Sequence, residues 1–231
     1  MDTSPPTVPA ACVPLSPAAP RRVLATRHAG WAGRLAHTLA RTGIQPNTVS
    51  IAGLVCAAMA CVAFVVALEL TVTSRAGALI GAAAAIQLRL LCNLLDGMLA
   101  IEHDLRTKGG EIFNELPDRI ADVLILVGAG FSVSTLPYGA VLGWAAAIMA
   151  LFTAYVRVLA GSLGLTQHFI GPMAKQHRMF TLTLATVISS IEAPLHQRSF
   201  GIYAALAIIV AGSLLTIVRR TRRMVAEVNG R

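Results

Sequence analysis

The chain has 231 residues, 55% of them hydrophobic and only 13% charged, where soluble domains carry about 25% charged residues. With a mean hydropathy of +0.68 it has too little polar surface to clothe a water-soluble globule. A net charge of +8 would by itself suit a nucleic-acid binder, but the placement of the charges excludes that partner. Seven of the 11 acidic residues (Asp96, Glu102, Asp104, Glu111, Glu115, Asp118 and Asp122) fall within 27 positions, while the basic residues gather at both ends and in two internal loops. This pattern describes a membrane protein with one acidic centre.

In chain order, residues 1–27 hold Pro5, Pro6, Pro9, Pro14, Pro17 and Pro20 and read as a disordered tail. They are not a signal peptide, because no basic segment precedes a continuous apolar run. Residues 28–45 form a juxtamembrane segment. Within it Trp31, Leu35 and Leu39 recur at helical spacing with Arg34 and Arg41 elsewhere on the wheel. That predicts a short amphipathic helix lying on the anionic inner leaflet, the alternative being a solvated linker helix.

Residues 46–220 follow as a membrane domain. About 20 apolar residues span the hydrocarbon core as a helix, and six stretches qualify: residues 49–70, 76–101, 110–133, 138–159, 179–191 with its flanks, and 201–218. Alternating ten-residue segments of a barrel are absent. The expected fold is therefore all-α, a bundle of six transmembrane helices. Residues 221–231 are expected to be a basic cytoplasmic tail. Lys and Arg cluster before the first span, after the second (Arg106, Lys108), after the fourth (Lys175, Arg178) and after the sixth (Arg219 to Arg223). By the positive-inside rule both termini are cytoplasmic. Arg outnumbers Lys 17 to 2 in an Ala-rich chain, which suits a bacterial source and hence a location in the inner membrane. The four cysteines imply no disulfide framework and no zinc site.

Ionisable groups within spans are costly and mark function by default. Asn93 and Asp96 lie three residues apart on one face of the second span, with Gly97 and Ala100 leaving room beside them. At 100° per residue, Glu111, Glu115, Asp118 and Asp122 occupy a stripe about 60° wide on the third span, with Asn114 at its edge. Two helices joined by a short loop are antiparallel, so these faces can meet just inside the membrane boundary. Hard oxygen donors converging in this way suit Mg²⁺ or Mn²⁺ and a phosphate-bearing substrate. Ion pairs such as Glu115 with Arg119, or Arg89 with Asp96, would account for some of these charges but not for seven acids. Arg89 itself is equally compatible with a phosphate pocket and with pairing to an acid.

The run Asn93-x2-Asp96-Gly97-x2-Ala100-Ile101-x8-Gly110-x3-Asn114-x3-Asp118 resembles the signature Asp-x2-Asp-Gly-x2-Ala-Arg-x8-Gly-x3-Asp-x3-Asp of the CDP-alcohol phosphotransferases, integral membrane enzymes of phospholipid synthesis. Every spacing is kept. Pro46-Asn47-Thr48-Val49-Ser50 is similar to the Pro-Asn-x-x-Ser/Thr opening of that family's first span, and Tyr155-Val156-Arg157 before Gly164 to its fourth-span segment. The resemblance implies transfer of a phosphatidyl or related group from a CDP-linked lipid to an alcohol acceptor, with release of CMP. It also implies a homodimer among membrane lipids and one or two Mg²⁺ or Mn²⁺ ions.

Carried over by position, Asp118 is the general base and a metal ligand, as are Asp96, Asn93 and Asn114 for the metal. Gly97, Ala100 and Gly110 cradle the nucleotide, and Asn47, Arg157 and Arg178 bind substrate. The first and third motif aspartates are here Asn93 and Asn114, and the motif arginine is Ile101. Three resolutions are open. Glu111, Glu115 or Asp122 supplies the missing charge; the enzyme works with one metal or with metal brought by substrate; or a degenerate member binds lipid or nucleotide without turnover. A transporter fits the charges but not the motif spacing, and it lacks paired interrupted helices.

Overall fold

In the computed structural model the described residues are 30–102, 110–193 and 199–230, with backbone alone for residues 101, 102, 110 and 111. The proline-rich tail, the loop carrying His103, Asp104, Arg106 and Lys108, and Arg198 lie outside them. So do the side chains of Ile101, Gly110 and Glu111. The described residues are helices and turns without a strand: α1 (Gly30–Arg41), α2 (Pro46–Val66), α3 (Val72–Glu102), α4 (Gly110–Ser132), α5 (Gly139–Ser162), α6 (Lys175–Glu192) and α7 (Phe200–Asn229).

The helices α2 to α7 close a ring in the order α2, α3, α6, α7, α5, α4 and back to α2, and α1 packs on the outside of α3. The starts of α2, α4 and α6 and the ends of α3, α5 and α7 share one end of the ring, as the contacts of Ser50, Asp96, Asp118, Lys175 and Arg220 show. That polar end is where the conserved spacing of the motif acquires its geometry.

Alanines line much of the contact between helices, beside buried Phe64, Leu79, Ile86, Leu126 and Ile202. Ala57, Ala60, Ala82, Ala85, Ala146, Ala147 and Ala150 are buried, while Val55, Met59, Val62, Trp144, Phe152, Phe180 and Ile208 are exposed. In water so many large apolar side chains would not stand exposed. With lipid as solvent no hydrophobic force drives the helices together, so close backbone approach between small residues does so instead. The tightest crossing joins α4 and α5. A Cβ placed on Gly143 would lie 2.6 Å from the Cα of Gly130 and 2.9 Å from the carbonyl oxygen of Leu126.

The expected six spans are reduced on the criteria of length and composition. Among the described residues four helices are long and apolar enough to cross a membrane: α2, residues 72–100 of α3, α5 and α7. In α4 the acids Glu115, Asp118 and Asp122 with Arg119, and in α6 Lys175, His177 and Arg178 with a run of hydroxyl side chains, dilute the apolar character. The segment expected as a juxtamembrane helix is helical from Gly30 to Arg41, and its Ala32 and Ala36 are buried against Leu95, Met98 and Leu99 of α3. The basic tail expected at residues 221–231 continues α7 as helix to Asn229.

Gly143→Val should open the α4–α5 crossing and cost about 1–3 kcal/mol, the usual penalty of overpacking. Gly33→Ala, where an added Cβ meets nothing within 4 Å, should instead leave stability unchanged or raise it slightly by restricting the unfolded chain. Thermal unfolding of the two variants in detergent checks the contrast.

Candidate functional site

α2 begins with Pro46 in its first turn, after Gln45 in an extended conformation (φ −77°, ψ 146°). Proline is tolerated there because its missing N–H is one of those a helix start leaves without a partner. One turn on, the hydroxyl of Ser50 donates to Asp96 Oδ2 at 2.7 Å. Asp96 is thus held, almost fully buried, by the opening turn of a different helix. Gly53 on the same helix lets the pair approach closely, since a Cβ there would meet the Cys92 Cβ at 3.1 Å.

Asn93 of α3 donates from Nδ2 to Asp118 Oδ1 at 3.0 Å, so the antiparallel meeting of the α3 and α4 faces is as the spacing predicts. Two cations complete the group. Arg89 Nη2 reaches Asp118 Oδ1 at 3.2 Å and Asp122 Oδ1 at 2.9 Å. Lys175 Nζ, from the first residue of α6, donates to Asn93 Oδ1 at 3.0 Å and to Asp118 Oδ2. Arg89 therefore pairs with Asp118 and Asp122 and not with Asp96, whose oxygen is engaged by Ser50.

Asp122 lies one turn deeper. Its Oδ2 accepts from Arg178 Nη2 at 3.1 Å, and both side chains are 1% exposed. Arg178 also donates through Nη1 to Thr153 Oγ1 and to the Met173 carbonyl at 3.1 and 3.2 Å. Arg220 of α7 donates to the Thr153 carbonyl at 2.8 Å. One buried carboxylate thereby gathers α3, α4 and α6, and through Thr153 also α5 and α7. Arg178, expected at the substrate, stands inside this framework.

Glu115 turns the other way, toward α5. It accepts from Arg119 at 2.8 Å, the i, i+4 pair expected from the sequence, and from Arg157. The acidic stripe on α4 therefore divides: Glu115 serves two arginines near the surface, while Asp118 and Asp122 face α3 and α6. Gly97 is buried, and Asn47 and Ala100 are half-buried. Asn114 lines a narrow cleft with Ser50, Arg89, Asn93, Asp96, Pro117 and Asp118, which has room for about one water molecule. The sequence alone leaves Lys175 either a topology determinant or a group for phosphate or headgroup, and Ser50 part of a motif. The signal for Lys175 was its rarity, one of two lysines against 17 arginines.

These residues do not fit a pair of divalent ions. Mg²⁺ and Mn²⁺ need anionic oxygens with free lone pairs. Asn93 Oδ1 and both Asp118 oxygens already accept protein donors, and both oxygens of Asp122 and of Glu115 are in ion pairs. Arg89, Lys175 and Arg178 match Asp96, Asp118 and Asp122 charge for charge. Among the described residues no three His, Cys, Asp or Glu side chains group in a way that could hold a metal ion.

Asp122→Ala should leave Arg89 and Arg178 buried without a counter-charge and cost about 3–5 kcal/mol, as breaking one side of a buried pair does. Asp122→Asn, which retains an acceptor oxygen, should cost less. Equal unfolding temperatures for wild type and Asp122→Ala would contradict the assignment.

The sequence profile of the family described as CDP-alcohol phosphatidyltransferase matches residues 44–221. No curated protein sequence matches the chain. Among solved structures the fold is similar to phosphatidylinositol phosphate synthase (PgsA1) of Mycobacterium tuberculosis. With CDP-DAG bound, that protein superposes with a TM-score of 0.69 at 19% identity, over 84% of this chain and 92% of the other. Its complex with manganese and citrate gives 0.65 at 19% identity, over 84% and 88%. Its apo form gives 0.64 at 19% identity, over 82% and 93%. At this identity the likeness shows the fold, and the profile match over most of the chain shows the family. The chain belongs to the CDP-alcohol phosphatidyltransferases, membrane enzymes of phospholipid synthesis that move a substituted phosphate group from a CDP-linked donor to an alcohol with release of CMP.

Proposed function

We propose that the polar end of the ring is the site at which this chain takes a CDP-linked lipid such as CDP-diacylglycerol and passes its phosphatidyl group to an alcohol. The observation that carries the reading is the convergence of the motif residues. Asn93 and Asp96 of α3 meet Asn114 and Asp118 of α4 beside Ser50 of α2. The mycobacterial relative solved with CDP-DAG supports the donor class.

In the proposed reaction an oxygen of the acceptor hydroxyl attacks the lipid-bearing phosphorus. A P–O bond forms there as the P–O bond to CMP breaks, and CMP departs with the electron pair. The hydroxyl proton passes to Asp118, the base the reaction needs because an alcohol is a weak nucleophile at neutral pH. Asp118 must first give up a donor, since both its oxygens are engaged. Arg157 of α5, held by Glu115 of α4, offers a guanidinium fork to an arriving phosphate. In this reading Asn47, Ala100 and Gly110 border the nucleotide, and Arg178 holds Asp122 and does not touch substrate.

The same reading places α2 to α7 across a bacterial inner membrane as six spans, α4 and α6 being shielded by their neighbours, with both termini cytoplasmic and α1 at the interface. Basic residues at the polar end (Arg41, Lys175, Arg178, Arg219, Arg220, Arg222 and Arg223) support that orientation. The family resemblance supports a homodimer and a divalent ion such as Mg²⁺ or Mn²⁺, the relative having been solved with manganese. The donor set of this chain argues against two such ions, and no step here is assigned to one.

Purified protein incubated with labelled CDP-diacylglycerol and a panel of alcohols should release CMP. Asp118→Asn should lower the rate by about 10²–10⁴-fold, the usual worth of a positioned base. Binding of CDP-lipid without CMP release from any alcohol would assign the chain a lipid-binding role instead, which the engaged state of Asp118 would then explain.

A further inference from the structure

Lys175 lies 82 residues from Asn93 in sequence, yet its Nζ bridges Asn93 Oδ1 and Asp118 Oδ2. These are the first and last of the four positions where the family motif has carboxylates. Of the two remaining motif carboxylates, Asp118 is paired with both protein cations, Lys175 and Arg89, while Asp96 beside it accepts from Ser50. Four carboxylates with two divalent ions, and two carboxylates with two monovalent cations, are both neutral. The replacements at 93 and 114 and the presence of Lys175 and Arg89 are thus matched in charge.

We infer that the Lys175 ammonium stands where a divalent ion would be needed at Asn93 and Asp118, and that with Arg89 it receives the diphosphate of the nucleotide-linked lipid directly. The inference rests on the reading that such a lipid enters this site. Lysine suits the position because its ammonium is a compact point charge with three rotatable donors, nearer to a metal ion in shape than a planar guanidinium. It is also tethered by a flexible stem, so it can leave Asp118 for an arriving phosphate and free the carboxylate for the acceptor proton. A second observation points to an anionic ligand. Arg89, 1% exposed, lines the cleft, and its Nη1 has no hydrogen-bond partner among the described residues. A phosphate oxygen is the acceptor it lacks.

The test is Mn²⁺ binding by the detergent-purified full chain, read from the electron paramagnetic resonance signal of free Mn²⁺. The unaltered protein should show no stoichiometric binding. Asn93→Asp, Asn114→Asp and Lys175→Gln combined should bind Mn²⁺. The same double Asp variant with Lys175→Arg should bind about 10- to 100-fold more weakly, the range seen when groups around a metal are altered. Gel filtration and thermal unfolding establish that each variant is folded.

Stoichiometric binding by the unaltered protein overturns the inference. So do equal affinities of the Gln and Arg variants, or a folded Gln variant that binds none. A parallel arm measures CDP-diacylglycerol binding in EDTA, which the unaltered protein should retain and Lys175→Gln should lose. Binding that requires added Mn²⁺ overturns the role of Lys175 and leaves the substrate reading standing. Absence of binding in both conditions sinks the substrate reading, while the Mn²⁺ arm still decides Lys175.

Discussion

Everything at the polar end depends on one constraint: a carboxylate buried in the ring must have its charge answered on both oxygens. Asp122 does this with Arg89 on one side and Arg178 on the other. In a low-dielectric interior an isolated ion of this kind costs several kcal/mol, and the geometry of its partners decides whether that cost is recovered. Here the partners come from α3 and α6, so answering the charge also fixes where those helices sit against α4. Thr153 and Arg220 extend the same network to α5 and α7. The site proper, one turn nearer the end of the bundle, inherits its positions from this framework.

The ring supplies what a membrane protein cannot obtain from the hydrophobic effect. Small residues at Gly128, Gly130 and Gly143 bring backbones into contact, and many large apolar side chains, such as Met59, Val62 and Phe180, are exposed. Close approach of α2 to α3 and α4 is what lets short side chains such as Ser50, Asn93 and Asp118 touch. Longer side chains could bridge a looser bundle, but Ser50 could not reach Asp96 across one. The reach of Arg89 and Lys175 then fills the space the amides leave.

Much of the site was legible in one dimension. The i, i+3 pair on α3 and the stripe on α4 follow from 3.6 residues per turn, and the short link between the two helices makes their faces antiparallel. The meeting of Asn93 with Asp118, and the pairing of Arg119 with Glu115, were accordingly predictable. The direction each acid takes was not. Glu115 and Asp122 lie on the same stripe, yet one serves Arg157 of α5 and the other Arg178 of α6. Which neighbour stands on which flank of α4 is a matter of ring order, and no local pattern encodes it. The contacts of Lys175 were hidden for the same reason: its partners are 82 and 57 residues away.

By itself the sequence determined a helical membrane protein with one polar centre, its helices within a few residues at most ends, and a motif whose spacing belongs to the CDP-alcohol phosphatidyltransferases. Composition, apolar run length and helical period are local properties, and they survive without knowledge of neighbours. Only the tertiary structure decided that α6 and α3 are adjacent, that Asp122 is a structural clamp, and that a lysine occupies the space between Asn93 and Asp118. Charges are answered in space and not along the chain, so the balance of this site could be read only after the ring had closed.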